Sequence, residues 1–194
     1  MAQVRVAFYG DSYTLGVGAT SPSRRWSTIV CAERGWREFN PSVDGLGFVR
    51  NRKTFGDGDV PSQIIADAPD IVFVTMGLND NFEFAQRSDR IRVQISTDLE
   101  YLRLALPTAR FIVVEPFWYT DDRPESLDTI AAWLEAAARF IDADYIAGAS
   151  HWLEHHPEWM AADGLHPNDA GYAHLAERMG AALSSSARVD KLER

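Results

Sequence analysis

The chain has 194 residues, 46% of them apolar and 24% charged, a make-up that suits one soluble globular domain with a full hydrophobic core. Its formal net charge of −9 excludes nucleic acid as a general partner and argues against a stable hold on an anionic membrane, since both need a basic face. The N-terminus lacks signal-peptide features and no apolar run could span a bilayer, so the expectation is a cytoplasmic location.

In chain order, Val4-Arg5-Val6-Ala7-Phe8-Tyr9 reads as a strand ended by Gly10. A helix is predicted from Trp26 to Arg34, closed by Gly35, and a short extended piece from Glu38 to Asn40. Cys31 falls in the apolar stretch Ile29-Val30-Cys31-Ala32 and is read as a small core residue; as the single cysteine it leaves no intramolecular disulfide. Residues 42 to 59 form a long loop with Gly45, Gly47, Gly56 and Gly58, and long loops of this kind are usually functional. The basic run Arg50-Asn51-Arg52-Lys53 inside it is read as solvated, with contact to an anionic substrate or neighbour as the alternative.

A helix over Val60 to Ala68 is stopped by Pro69-Asp70, and the unbroken apolar run Ile71 to Met76 has the mark of a buried parallel strand. From Arg87 to Leu106 the residues Ile91, Ile95, Leu99, Leu102 and Leu106 make one helical stripe. Phe111 to Val114 is a further buried strand, Ser126 to Phe140 an alanine-rich helix, and Asp144 to Ile146 a last short strand. Asn168 is placed to cap a final helix reaching Leu183. The domain is expected to span 1–186, followed by a polar tail at 187–194.

Strand and helix alternate throughout, which predicts a parallel sheet with helices on both faces and a ligand site at the carboxyl ends of the strands. Four short motifs fall there. Gly10-Asp11-Ser12 follows the first strand, Gly45 the second, Gly77-Leu78-Asn79-Asp80 the third, and Asp163-Gly164-Leu165-His166-Pro167 precedes the last helix. Each has a plainer reading on its own: a serine cap, a loop glycine, a strand-to-helix turn whose aspartate bonds to backbone, a capping turn with a surface histidine. Together they supply a hydroxyl nucleophile, a base with its carboxylate partner, and oxyanion donors.

The four motifs, in this order and over nearly the whole chain, resemble the SGNH hydrolases, also called the GDSL esterase and lipase family. The resemblance implies a flavodoxin-like three-layer α/β/α sandwich with about five parallel strands. It also implies Ser12 as nucleophile, His166 as base and Asp163 as its partner. The oxyanion hole would be the N–H groups of Ser12 and Gly45 with the Asn79 amide; Gly47 is the alternative to Gly45. Tyr13 stands where the family name implies leucine. No metal or other cofactor is expected, and the oligomeric state stays open.

The resemblance thus points to a small-molecule carboxylic ester as substrate, with a small acyl group favoured and acetyl on a carbohydrate as one form. A lysophospholipase or thioesterase of the same family, or a binding module without turnover, are the alternatives. Phe82, Phe84 and Phe117-Trp118-Tyr119 follow strands on the site side and are candidates for an aromatic wall, core packing being the plainer reading. His151-Trp152-Leu153-Glu154-His155 matches a zinc-peptidase pattern, but Pro157 limits the helix that would align its histidines; with Trp159 and Met160 it is read instead as a wall or lid beside His166.

Overall fold

The computed structural model describes residues 3–52 and 59–185. Lys53, Gly56, Gly58 and the tail, all singled out above, lie outside the described residues, as does the expected domain end at 186. The elements are β1 (Arg5–Gly10), α1 (Ser12–Leu15), α2 (Trp26–Glu33), β2 (Arg37–Phe39), α3 (Val60–Asp67), β3 (Ile71–Thr75), α4 (Leu78–Asn81), α5 (Phe84–Ala105), β4 (Arg110–Val114), α6 (Glu125–Phe140), β5 (Asp144–Ile146) and α7 (Asp169–Ser185).

The five strands are all parallel, in the order β2-β1-β3-β4-β5. This is the expected flavodoxin-like order. The chain leaves β1 toward β2 on one side and returns to β3 on the other, so the topological switch point lies between β1 and β3.

Burial explains the strand sequences. β3 is buried along its whole length, so Ile71 to Val74 are apolar because helices cover both faces, and Thr75 at its end is satisfied by the Thr14 hydroxyl at 2.6 Å. Alternate residues feed two cores. Val6, Phe8, Ile71, Phe73, Ile112 and Val114 pack with α2 and α7. Ala7, Tyr9, Val72, Val74, Phe111 and Val113 pack with α3, α5 and α6. Ile91, Ile95, Leu99 and Leu102 of the predicted stripe are fully buried, and truncating any one to alanine should cost about 2–5 kcal/mol. Cys31 is buried as expected, and burial pushes its thiol up to about 12.

The differences from expectation are local. α5 is kinked at Arg87 (φ −137°, ψ 18°), where the sequence placed its start, and a further turn ahead of the kink begins at Phe84, whose ring stacks on Trp133 of α6 at 5.6 Å. α1 and α4 are four-residue helices where the sequence shows only turns. Asn168 caps α7 as predicted: its Oδ1 accepts the N–H groups of Ala170 (2.9 Å) and Gly171 (3.1 Å).

The basic run is not uniformly solvated. Asp98 is buried on α5 and needs compensation; the Arg52 guanidinium supplies it, also pairing with Asp59 at 2.9 Å. Tyr9 Oη donates to the same Asp98 carboxylate at 2.8 Å. Among the described residues, no helix is long and apolar enough to cross a membrane.

Candidate active site

All four motifs lie at the carboxyl edge of the sheet. Asp11 caps α1, its Oδ1 accepting the Tyr13 N–H at 3.0 Å, and this leaves Ser12 as the first residue of the helix, directly after β1. Among the described residues, neither the Ser12 N–H nor its hydroxyl has a hydrogen-bond partner. A first-turn N–H has no carbonyl within its own helix to bond, so it stays available to a ligand. Ser12 is 3% exposed, which keeps it out of bulk water.

His166 and Asp163 share one turn. His166 Nδ1 lies 2.7 Å from Asp163 Oδ2, while Asp163 Oδ1 accepts the N–H groups of Leu165 (2.9 Å) and His166 (3.0 Å). The bond to the His166 ring, followed by these two N–H groups, pulls the Asp163 carboxyl down to about 2. The turn is tied to the nucleophile's helix. Tyr13 Oη donates to the Leu165 carbonyl at 2.7 Å, and Tyr172 Oη on α7 donates to Val17 O at 2.7 Å. Gly18 packs so closely that a Cβ there would meet Pro167 O at 2.4 Å and His166 Cβ at 3.2 Å. Residues next to Ser12 and next to His166 are therefore in direct contact.

Asn79 follows β3 on α4. Its Nδ2 donates to Leu46 O at 3.1 Å and, weakly, to Asp11 Oδ2 at 3.4 Å, so the amide is oriented from both flanking loops. The two glycines of the β2 loop differ. The Gly47 N–H donates to Arg50 O at 3.0 Å, whereas the Gly45 N–H has no acceptor among the described residues. Gly47 is needed for close approach instead: a Cβ there would sit 2.6 Å from the Asp80 carboxylate. Asp80 holds this loop, accepting Phe48 N–H (2.7 Å), Val49 N–H (2.9 Å) and Arg50 N–H (3.4 Å). Its bonding to backbone was legible; that it reaches across to the Gly45 loop was not.

Two buried carboxyls stand beside these donors. Burial pushes Asp11 up to about 7, with backbone N–H bonds opposing and the Asp80 charge adding. Burial likewise raises Asp80 to about 6 against its three backbone N–H bonds. The sequence did not single out Asp11 or Tyr13 for a positioning role. For Tyr13 there was a signal: a buried tyrosine hydroxyl needs a partner.

The expected aromatic wall divides. Phe117 stacks on Tyr13 at 5.7 Å and is core, and Phe84 lies against α6 away from the site. Trp118, 4% exposed, is core as well, its ring 6.4 Å from Phe82 and 4.6 Å from Tyr119, so Phe82, 44% exposed, and the half-buried Tyr119 remain. The H-x-x-E-H stretch is tied up in pairs, His151 with Glu154 at 2.5 Å and His155 with Asp121 at 2.7 Å. Among the described residues, no cluster of three or more His, Cys, Asp or Glu could hold a metal. Trp152 is core rather than lid, because its ring packs against Phe117. Met160 and Ala161 do flank the histidine: Met160 bridges to Pro167, and Ala161 N–H donates to His166 O at 2.7 Å.

Comparison with known proteins gives the family and the fold. Residues 8–174 match the model of the GDSL-like lipase/acylhydrolase family. The GDSL lipase Rv0518 of Mycobacterium tuberculosis is 31% identical over 190 residues, covering 92% of this chain and 81% of that protein. Among solved structures, TesA superposes with a TM-score of 0.75 at 18% identity, covering 92% of this chain and 97% of its own. A variant of Axe2, an acetyl-xylooligosaccharide esterase from Geobacillus, gives 0.67 at 20% identity, with 92% and 93% covered.

Proposed function

The chain belongs to the GDSL-like lipase/acylhydrolase family, and from that premise we propose that it hydrolyses carboxylic esters of small acyl groups through an acyl-serine intermediate on Ser12. The observation that carries the reading is the Asp163–His166 pair on a turn tied to the helix of Ser12.

With Nδ1 bonded to Asp163, the His166 ring keeps Nε2 free to take the Ser12 proton. Asp163 fixes the tautomer and offsets the charge of the imidazolium. Ser12 Oγ attacks the ester carbonyl, and the developing oxyanion accepts from the Ser12 N–H, the Gly45 N–H and Asn79 Nδ2. Gly45 is favoured over Gly47 because the Gly47 N–H is bonded to Arg50 O at 3.0 Å, whereas Asn79 Nδ2 keeps its bond to Leu46 O and turns the N–H held weakly by Asp11 at 3.4 Å to the oxyanion. His166 returns its proton to the departing alkoxide. Water, deprotonated by His166, then releases the acyl group and regenerates Ser12. Proton transfer within the triad supplies both nucleophiles, so no step calls for a metal.

The acyl group is read as small, with acetyl on a carbohydrate as one form, and the 44% exposed Phe82 is an aromatic surface beside the Asn79 helix for a leaving group. Axe2, which shares the fold, is by its description an esterase of acetylated xylo-oligosaccharides. Ser12→Ala should abolish turnover of p-nitrophenyl acetate, and a fluorophosphonate probe should label the parent once, at Ser12. Undiminished hydrolysis by Ser12→Ala would refute the reading; a folded parent that neither labels nor turns over would point to a binding module.

A further inference from the structure

We propose that Arg50 forms an anion subsite beside the oxyanion hole, so that the preferred substrates are esters carrying a carboxylate or phosphate on the leaving group. The proposal deepens the ester-hydrolase reading above and rests on it.

Arg50 stands between the two loops that carry the candidate oxyanion donors. Its carbonyl accepts the Gly47 N–H, its N–H reaches Asp80, and the side-chain amide of the next residue, Asn51, donates to Gly45 O at 3.0 Å. The backbone of Arg50 is thus folded back on the Gly45 turn. Its guanidinium lies over the Phe82 ring, 5.1 Å from the centroid, and Phe82 N–H bonds to Asn79 O at 3.3 Å. One residue therefore touches the Gly45 turn with its main chain and the Asn79 helix with its side chain.

The charge on Arg50 is uncommitted. Arg52, two residues on, is neutralised by Asp98 and Asp59. Among the described residues, Arg50 has no carboxylate within ion-pair distance and its side chain makes no hydrogen bond; its guanidinium rests on the face of Phe82. An arginine held against an aromatic face keeps its N–H edge free for an anion. The molecule as a whole, at a net −9, repels anions, so a cation beside the site has a role that general electrostatics does not fill. An ester whose carbonyl sits between Gly45 and Asn79 would direct its leaving group toward Phe82, with an anionic end at Arg50.

The test compares kcat/KM for 4-acetoxybenzoate, 4-acetoxyphenyl phosphate and the neutral methyl 4-acetoxybenzoate, in the parent, Arg50→Gln and Arg50→Glu. In the parent at low salt, at least one anionic ester should be favoured over the neutral one by about fivefold or more. The ratio should shrink with added NaCl, approach one in Arg50→Gln, and fall below one in Arg50→Glu. Which anionic ester gains more assigns the subsite to carboxylate or phosphate. A parent ratio near one for both, or a ratio that survives Arg50→Gln, would overturn the subsite. Loss of the ester-hydrolase reading is separate, since it would appear as turnover of the neutral ester that Ser12→Ala leaves intact.

Discussion

Tyr13 Oη and the Leu165 carbonyl are bonded at 2.7 Å across 152 residues of sequence, joining the residue after Ser12 to the residue before His166. The bond fixes the spacing of nucleophile and base from outside the triad. Tyr13→Phe keeps the stacking on Phe117 and removes only this link. It should cost about 1 kcal/mol of stability, because the Leu165 carbonyl loses its donor. Turnover should fall by roughly tenfold with little change in KM, since small displacements of reacting groups are expensive. Steady-state kinetics on p-nitrophenyl acetate, with urea unfolding alongside, would check both; an unchanged kcat would remove the positioning role.

Asn79→Ala deletes one of three proposed oxyanion donors. Asn79 is buried and its amide donates to Leu46 O and weakly to Asp11, so the variant should lose about 1–2 kcal/mol of stability and still fold. Turnover should drop by roughly 10²–10³ while KM moves little, because the interaction is made in the transition state. A loss confined to KM would mean that Asn79 binds the ground state instead.

The legible parts of this molecule are those written in adjacent residues. β3 and β4 are continuous apolar runs, and only strands covered on both faces need that pattern. Asp163 and His166 sit within one turn, so their pairing followed from spacing. α1 and α4 were read as turns because four residues hold too little periodicity. The partners that Tyr13 and Asp80 find, Leu165 and the Gly45 loop, were not legible, since a hydrogen bond between distant residues has no local signature. The same holds for Arg52, which looks like its neighbour Arg50 in sequence and differs only because Asp98 faces it.

Asp98 anchors the far end of the same loop. Asp98→Ala would leave the Arg52 guanidinium and Tyr9 Oη without their buried acceptor, and should cost about 3–5 kcal/mol. Glu83→Ala, which removes only the exposed Arg87–Glu83 pair, should change stability by about 0.5 kcal/mol or less. Urea unfolding of both variants tests the contrast, and equal losses would contradict it.

The two buried carboxyls near the oxyanion donors predict how stability varies with pH. Asp11 is raised to about 7 and Asp80 to about 6, each from 3.8, with burial the main cause. Between these values and 3.8 the folded chain holds protons that the unfolded chain has released. Stability contributed by either group therefore falls as pH rises through that window. Asp163 works in the opposite sense. Its carboxyl is lowered to about 2, so its contribution is present above 3.8 and is lost as pH falls toward 2. The windows meet near 3.8 and scarcely overlap, which allows them to be separated. Asp11→Asn keeps an oxygen for the Tyr13 N–H and removes the charge that burial penalises. Its stability relative to the parent should climb from about pH 4 to about pH 7 and level off above. Asp163→Asn should leave that climb unchanged and alter only the acid limb. Urea midpoints at half-unit intervals of pH would show it. A constant difference between Asp11→Asn and the parent across pH 4 to 8 would mean that the Asp11 carboxyl is solvated in the folded protein, and with it that the site is wetter than its burial implies.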